Sequence, residues 1–139
     1  MAASLGGSLK QLIEASGLGL PVYRDDAGAA VTGPVWVTVT EGFSTNTVAL
    51  GDAGDADAIT DLLQVDLWQP WRAKAPGDPA EDYTLADRLY GVIHGATLPN
   101  PPMLVRSCTV DSYPRFVERG SNLVHHAFTV RIARERASA

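Results

Sequence analysis

The side chains able to carry acid-base, nucleophilic or metal chemistry are few in this sequence, and their spacing decides what they can do. The histidines are His94, His125 and His126. His125 and His126 are neighbours in a stretch that alternates like a strand, so they leave opposite faces and cannot share one ion. A metal site would have to recruit His94, His126 and a carboxylate such as Asp66, without the HExxH or paired-cysteine spacing of zinc sites. On its apolar face His126 reads instead as a hydrogen-bonded core histidine. Asp52, Asp55, Asp57, Asp61 and Asp66 form an acidic run. With Asp55 in the first position of a calcium loop, Ile59 falls where an oxygen ligand is needed and Thr60 where the turn glycine is needed, so that loop fails. Cys108 is the single cysteine. It has no CxxC partner and reads as a small buried side chain rather than a nucleophile. Ser107 and Thr109 lack a nucleophile-elbow context. Gly17 and Gly19 follow a helix and lack the third glycine of a dinucleotide fingerprint, and no phosphate-binding GxxxxGKS or GxxxxGKT run is present. These residues point to no enzyme, no cofactor and no metal.

Residue types suited to binding are better represented. In Leu67-Trp68-Gln69-Pro70-Trp71-Arg72, two indoles and an arginine stand at the exit of a strand. Trp and Arg dominate protein interfaces. Trp68 is expected to lid one end of the core, while Trp71 and Arg72 either stack locally or form part of an interface. Charge is distributed unevenly. The 139 residues carry a net charge of −5, so general affinity for nucleic acid or anionic lipid is not expected. Within that sum, residues 41–87 hold ten acids against Arg72 and Lys74, whereas residues 88–139 hold seven arginines against three acids. The segments can pair between copies, with Asp52, Asp55 and Asp57 on one side and Arg131, Arg134 and Arg136 on the other, or they can be ordinary solvated charge.

The elements that must hold these groups follow from periodicity. Residues 8–16 have Leu9, Leu12 and Ile13 on one helical stripe, with Ser8 as N-cap and Gly17 as stop. Residues 22–24 suggest a brief strand. Residues 35–41 alternate Val35, Val37 and Val39 against Trp36, Thr38 and Thr40, the period of a half-buried strand. Residues 42–57 are rich in Gly, Ser, Thr, Asn and Asp and are expected to be a long mobile loop. Ile59, Leu63, Val65 and Leu67 mark one face of the next strand. Asp61 interrupts it, so burial is expected to begin near Leu62. Asp78-Pro79-Ala80-Glu81 has the form of a helix start. The helix that follows has Leu85, Leu89, Val92 and Ile93, helped by Tyr83 and Ala86, as its buried stripe, and it stops at Gly95. Residues 104–113 and 123–133 read as a long antiparallel pair joined by residues 114–122. In the second of them Val124, His126, Phe128, Val130 and Ile132 share a face.

The expected architecture is one α+β domain over residues 1–139, a mainly antiparallel sheet with two helices packed on one face, ending in a flexible tail at about 135–139. No run of about 18 apolar residues is present and the start lacks the order of a signal peptide, so no membrane partner is expected.

With the segments laid out, the chain resembles the tail-terminator or tail-completion proteins of long-tailed bacteriophages, including the lambda-type terminators. The matching parts are Leu62-Leu63-Gln64-Val65-Asp66-Leu67-Trp68, the helix at 83–94 with its Gly95-Ala96-Thr97-Leu98 exit, and His126-Ala127-Phe128-Thr129-Val130-Arg131-Ile132. The N-terminal helix followed by a short Pro-Val-Tyr strand matches too. Residues 42–57 and the proline-rich exit before Met103 are the candidate departures. The resemblance implies a non-enzymatic subunit of a homo-oligomeric ring, commonly a hexamer. Such a ring caps the head-proximal end of the tail tube, halts its polymerisation and offers a surface to a head-tail connector or stopper protein. It implies a virion location at the tail-neck junction, after assembly in the bacterial host cytoplasm. Another neck component, of the stopper or joining kind, is the nearest alternative. A small metal-dependent enzyme or ligand-binding domain using His94, His126 and Asp66 is the alternative from a different class.

Overall fold

The computed structural model describes residues 4–25, 31, 33–47, 58–99 and 103–136. The elements in chain order are α1 (Leu5–Glu14), β1 (Val22–Arg24), β2 (Trp36–Thr47), β3 (Ala58–Pro70), α2 (Leu85–Ile93), β4 (Met103–Ser112), β5 (Arg115–Glu118) and β6 (Leu123–Arg136). The strands form one sheet in the order β1-β2-β3-β6-β4, with β5 also paired to β6. All pairings are antiparallel except β1 with β2. The two helices lie on one face, which confirms the α+β architecture.

The alternation of the strands dictates which face the helices cover. Val37 and Val39, Leu63, Val65 and Leu67, Cys108 and Val110, and Val124, Phe128, Val130 and Ile132 are all buried. They meet Leu5, Leu9 and Ile13 of α1 and Leu85, Ala86, Leu89 and Ile93 of α2, with Val124 alone outside this cluster. Such burial of large aliphatic side chains drives folding at about 25 cal/mol per Å².

Several local expectations shift. Helix α1 starts on Ser4, whose hydroxyl accepts from the Gly7 amide at 3.0 Å, four residues before the expected cap. Ser8 lies inside the helix and donates to the Pro99 carbonyl at 2.8 Å. The helix start expected at Asp78 is absent, and α2 begins after Thr84. Gln69 reaches up from β3 and its amide oxygen accepts from the Asp82 amide, while Glu81 is buried against Arg115. Tertiary bonds thereby hold residues 81–82 outside the helix, and the Asp82 carboxylate receives the Thr84 amide and hydroxyl instead. Tyr83, expected on the buried stripe, is 76% exposed. Gly95 stops α2 in the left-handed region at φ +80°.

Residues 42–47, expected in a loop, continue β2; residues 48–57 lie outside the described residues. The register shifts between Glu41 and Ser44, and a Cβ on Gly42 would stand 2.4 Å from the Leu62 carbonyl oxygen, so this irregularity requires glycine. Asp61 is buried rather than at the edge of burial, because Arg134 donates to it at 2.6 Å. The segment between β4 and β6 contains β5 and a short 3-10 turn, Arg119–Ser121. Glu135 and Arg136, expected in a flexible tail, complete β6; residues 137–139 lie outside the described residues.

Candidate functional site

The fold separates the three residues of the metal reading. His94 is the C-cap of α2, where its Nδ1 accepts from the Val110 amide at 3.1 Å and its ring stacks on Tyr90. Together with the bond from the Gly95 amide to the Cys108 carbonyl, it ties α2 to β4. His126 lies on the helix-covered face opposite Arg115, and burial holds its imidazole below its ordinary value. Its Nδ1 has no hydrogen-bond partner among the described residues, which corrects the expectation of a hydrogen-bonded core histidine. Asp66 is on the other face. There burial raises its carboxyl, opposed by the Gln64 amide at 2.9 and 3.1 Å and by His125. Among the described residues no group of three His, Cys, Asp or Glu side chains can hold a metal ion. Cys108 is buried, and burial pushes its thiol up to about 11, so it is not a thiolate at neutral pH.

What the fold does assemble is a surface. On the face away from the helices the register aligns Trp36, Trp68, His125 and Phe116 on four adjacent strands. Their rings stack in sequence: Trp36 to Trp68 at 5.8 Å, Trp68 to His125 at 4.3 Å and His125 to Phe116 at 5.2 Å between centroids. The Trp68 indole N–H donates to the Thr38 hydroxyl at 3.3 Å. Trp68 is therefore half-buried in an open row on the uncovered face, not a lid on the core as expected. Phe116 is 48% exposed at the end of the row.

At the same end of the sheet Trp71 is flanked by two guanidinium groups, Arg72 at 3.9 Å and Arg119 at 5.6 Å from the ring centroid. The Trp71 amide donates to the Asn122 carbonyl, and the Asn122 side chain donates to the Arg72 carbonyl at 2.8 Å. Trp71 and Arg72 thus stack locally, and Arg72 also lines a groove of about 260 Å³ together with Lys74, Pro34, Trp36, Pro70 and Leu123.

The other candidate residues are positioned differently. Arg131 is paired with Asp111 at 2.8 Å and Arg134 with Asp61, so both are engaged within the chain. Arg136 ends β6. Asp52, Asp55 and Asp57 lie outside the described residues. Sequence reasoning missed Lys74, Arg119, His125 and Phe116 as surface groups. The outward parity of Trp36 and Trp68 was visible, but only the register brings His125 and Phe116 into line with them.

No protein-family model and no curated protein sequence matches the chain. The fold itself has solved counterparts. A chain from the virion of a native gene transfer agent particle superposes with a TM-score of 0.67 at 13% identity, covering 95% of both chains. A second solved chain superposes with a TM-score of 0.53 at 14% identity, covering 95% of this chain and 89% of its own.

Proposed function

We propose that this chain is a structural subunit of a phage-like virion and acts as a tail terminator. In this reading, copies join into a ring, of six in the family it resembles, that caps the head-proximal end of the tail tube and receives the head connector. The observation that carries the reading is the fold shared end to end with a component of a gene transfer agent virion. The geometry is suited to such work. A closed ring uses heterologous contacts, one patch on a different patch of the neighbour. This chain offers distinct surfaces for them: a sheet face with an aromatic row and the outer edges of β4 and of β2 beyond its pairing with β1, none of them covered or paired among the described residues.

Electron microscopy of particles assembled without this chain tests the proposal. Tubes of uncontrolled, excessive length are the expected result. Tails of normal length that fail to join heads would make the chain a neck component instead. Intact particles with joined heads would refute a virion assembly role.

A further inference from the structure

Among the described residues, seven side-chain cations form ion pairs within the chain: Lys10, Arg24, Arg88, Arg106, Arg115, Arg131 and Arg134. Arg72, Lys74 and Arg119 form none among the described residues; Arg72 and Lys74 line the groove, and Arg119 lies against the same Trp71 ring that Arg72 covers. Asp78 is the single acid lining that groove. The groove therefore combines apolar side chains with two cations, Arg72 and Lys74, that form no ion pair among the described residues, and it suits an acidic, weakly apolar peptide segment.

The sequence contains one such segment. Residues 48–57, Val-Ala-Leu-Gly-Asp-Ala-Gly-Asp-Ala-Asp, carry three acids and no cation. They connect Thr47 to Ala58, while Trp36 and Pro70, at the other ends of the same two strands, line the groove. The 13 residues of β3 separate the two ends by about 40 Å. A segment of ten residues anchored at the far end cannot fold back over that length and still bridge Thr47 to Ala58. Only another copy can deliver it.

We infer that the groove at Arg72 and Lys74, with Arg119 beside it across Trp71, is a docking site for the acidic 48–57 segment of a neighbouring copy, with Asp52, Asp55 and Asp57 meeting these three cations. The contact is heterologous, head to tail, and repeated around an axis it closes a ring or, unclosed, makes a filament. This inference rests on the ring-forming reading above and names the surfaces that would join its subunits. Charge attraction of this kind sets partner choice and register and weakens as salt screens it.

A zero-length carbodiimide cross-link tests it, because that reagent joins an amine only to a carboxylate in contact with it. In a mixture of isotopically light and heavy protein, the expected product links the Lys74 peptide of one copy to the 48–57 peptide of the other. Its yield should fall about tenfold between roughly 20 mM and 500 mM salt. Two variants extend the test, Arg72→Glu/Lys74→Glu/Arg119→Glu and Asp52→Lys/Asp55→Lys/Asp57→Lys. Each alone should lose self-association by tenfold or more in sedimentation velocity, and mixing them should restore it, since each offers the charge the other lacks. Circular dichroism melting of each variant checks that its fold is intact. A protein monomeric at millimolar concentration in low salt overturns the inference, as do assemblies that ignore both charge reversals or yield no Lys74 link to 48–57. Tail length in particles lacking the chain reports on the terminator reading independently of these results.

Discussion

The two faces of the sheet are built from the same strands, one residue out of phase, and they differ in what they ask of their side chains. On the covered face Val37, Val65, Phe128, Val130 and Ile132 are fully buried beneath two helices. On the uncovered face, Trp36, Trp68, His125 and Phe116 are large rings held by stacking on one another, with Phe116 half-exposed. Burial by a second layer makes the first face a source of stability. Among the described residues no second layer covers the other face, and stacking holds its rings in order. Residue hydrophobicity alone does not say which face is the core; the layer above it does.

Truncating one ring on each face measures that difference most directly. Phe128→Ala should cost about 4 kcal/mol in urea denaturation, the usual penalty for emptying a fully buried aromatic site. Trp68→Ala should cost about half as much, from lost stacking and partial burial. Equal losses would mean that the uncovered face contributes to the core. Ion pairs sharpen the contrast at a smaller scale. Glu81 is buried with its side chain 1% exposed, and Glu81→Ala, which strands Arg115 and opens the 81–82 tether, should cost about 2 kcal/mol. Arg131, paired with Asp111 in the open, should leave the denaturation midpoint unchanged when replaced by alanine.

A further small effect is the pH dependence set by His126. Burial holds its imidazole below the ordinary 6.5, so just below that pH the unfolded chain binds a proton that the folded chain refuses. Stability is whole above 6.5 and declines as pH falls through the window down to the depressed folded value. His126→Gln should flatten that part of a stability-against-pH curve measured by denaturant midpoints. A wild-type curve that rises on acidification through this window would contradict the assignment.

Much of the fold was legible where one force dominated. The alternation of Val37 and Val39, of Leu63, Val65 and Leu67, and of Val124 to Ile132 marked the covered face, because period-two apolar runs bury only one way. Local signals failed where distant groups competed. Asp78-Pro79-Ala80-Glu81 has every feature of a helix start, but Gln69 from β3 and Arg115 from β5 claim its last residue and the amide that follows. Asp61 looked like a residue too polar to bury, yet Arg134, distant in sequence, makes burial tolerable. Trp71 and Arg72 stood out by type alone. The second guanidinium on Trp71, Arg119, comes from the turn after β5 and the aromatic row depends on strand register, neither of which a local pattern encodes.

Strand β6 has a further consequence, one for the making of the protein. It pairs with β3 along its length and with both β4 and β5, so it is the seam through which the earlier and later halves of the sheet meet. It is also the final strand in chain order. While a ribosome is still translating it, the apolar side of β2 and β3 has nothing beside it to complete the layer. The nascent chain therefore stays unfinished, and exposed to chaperones, until nearly all of β6 has emerged.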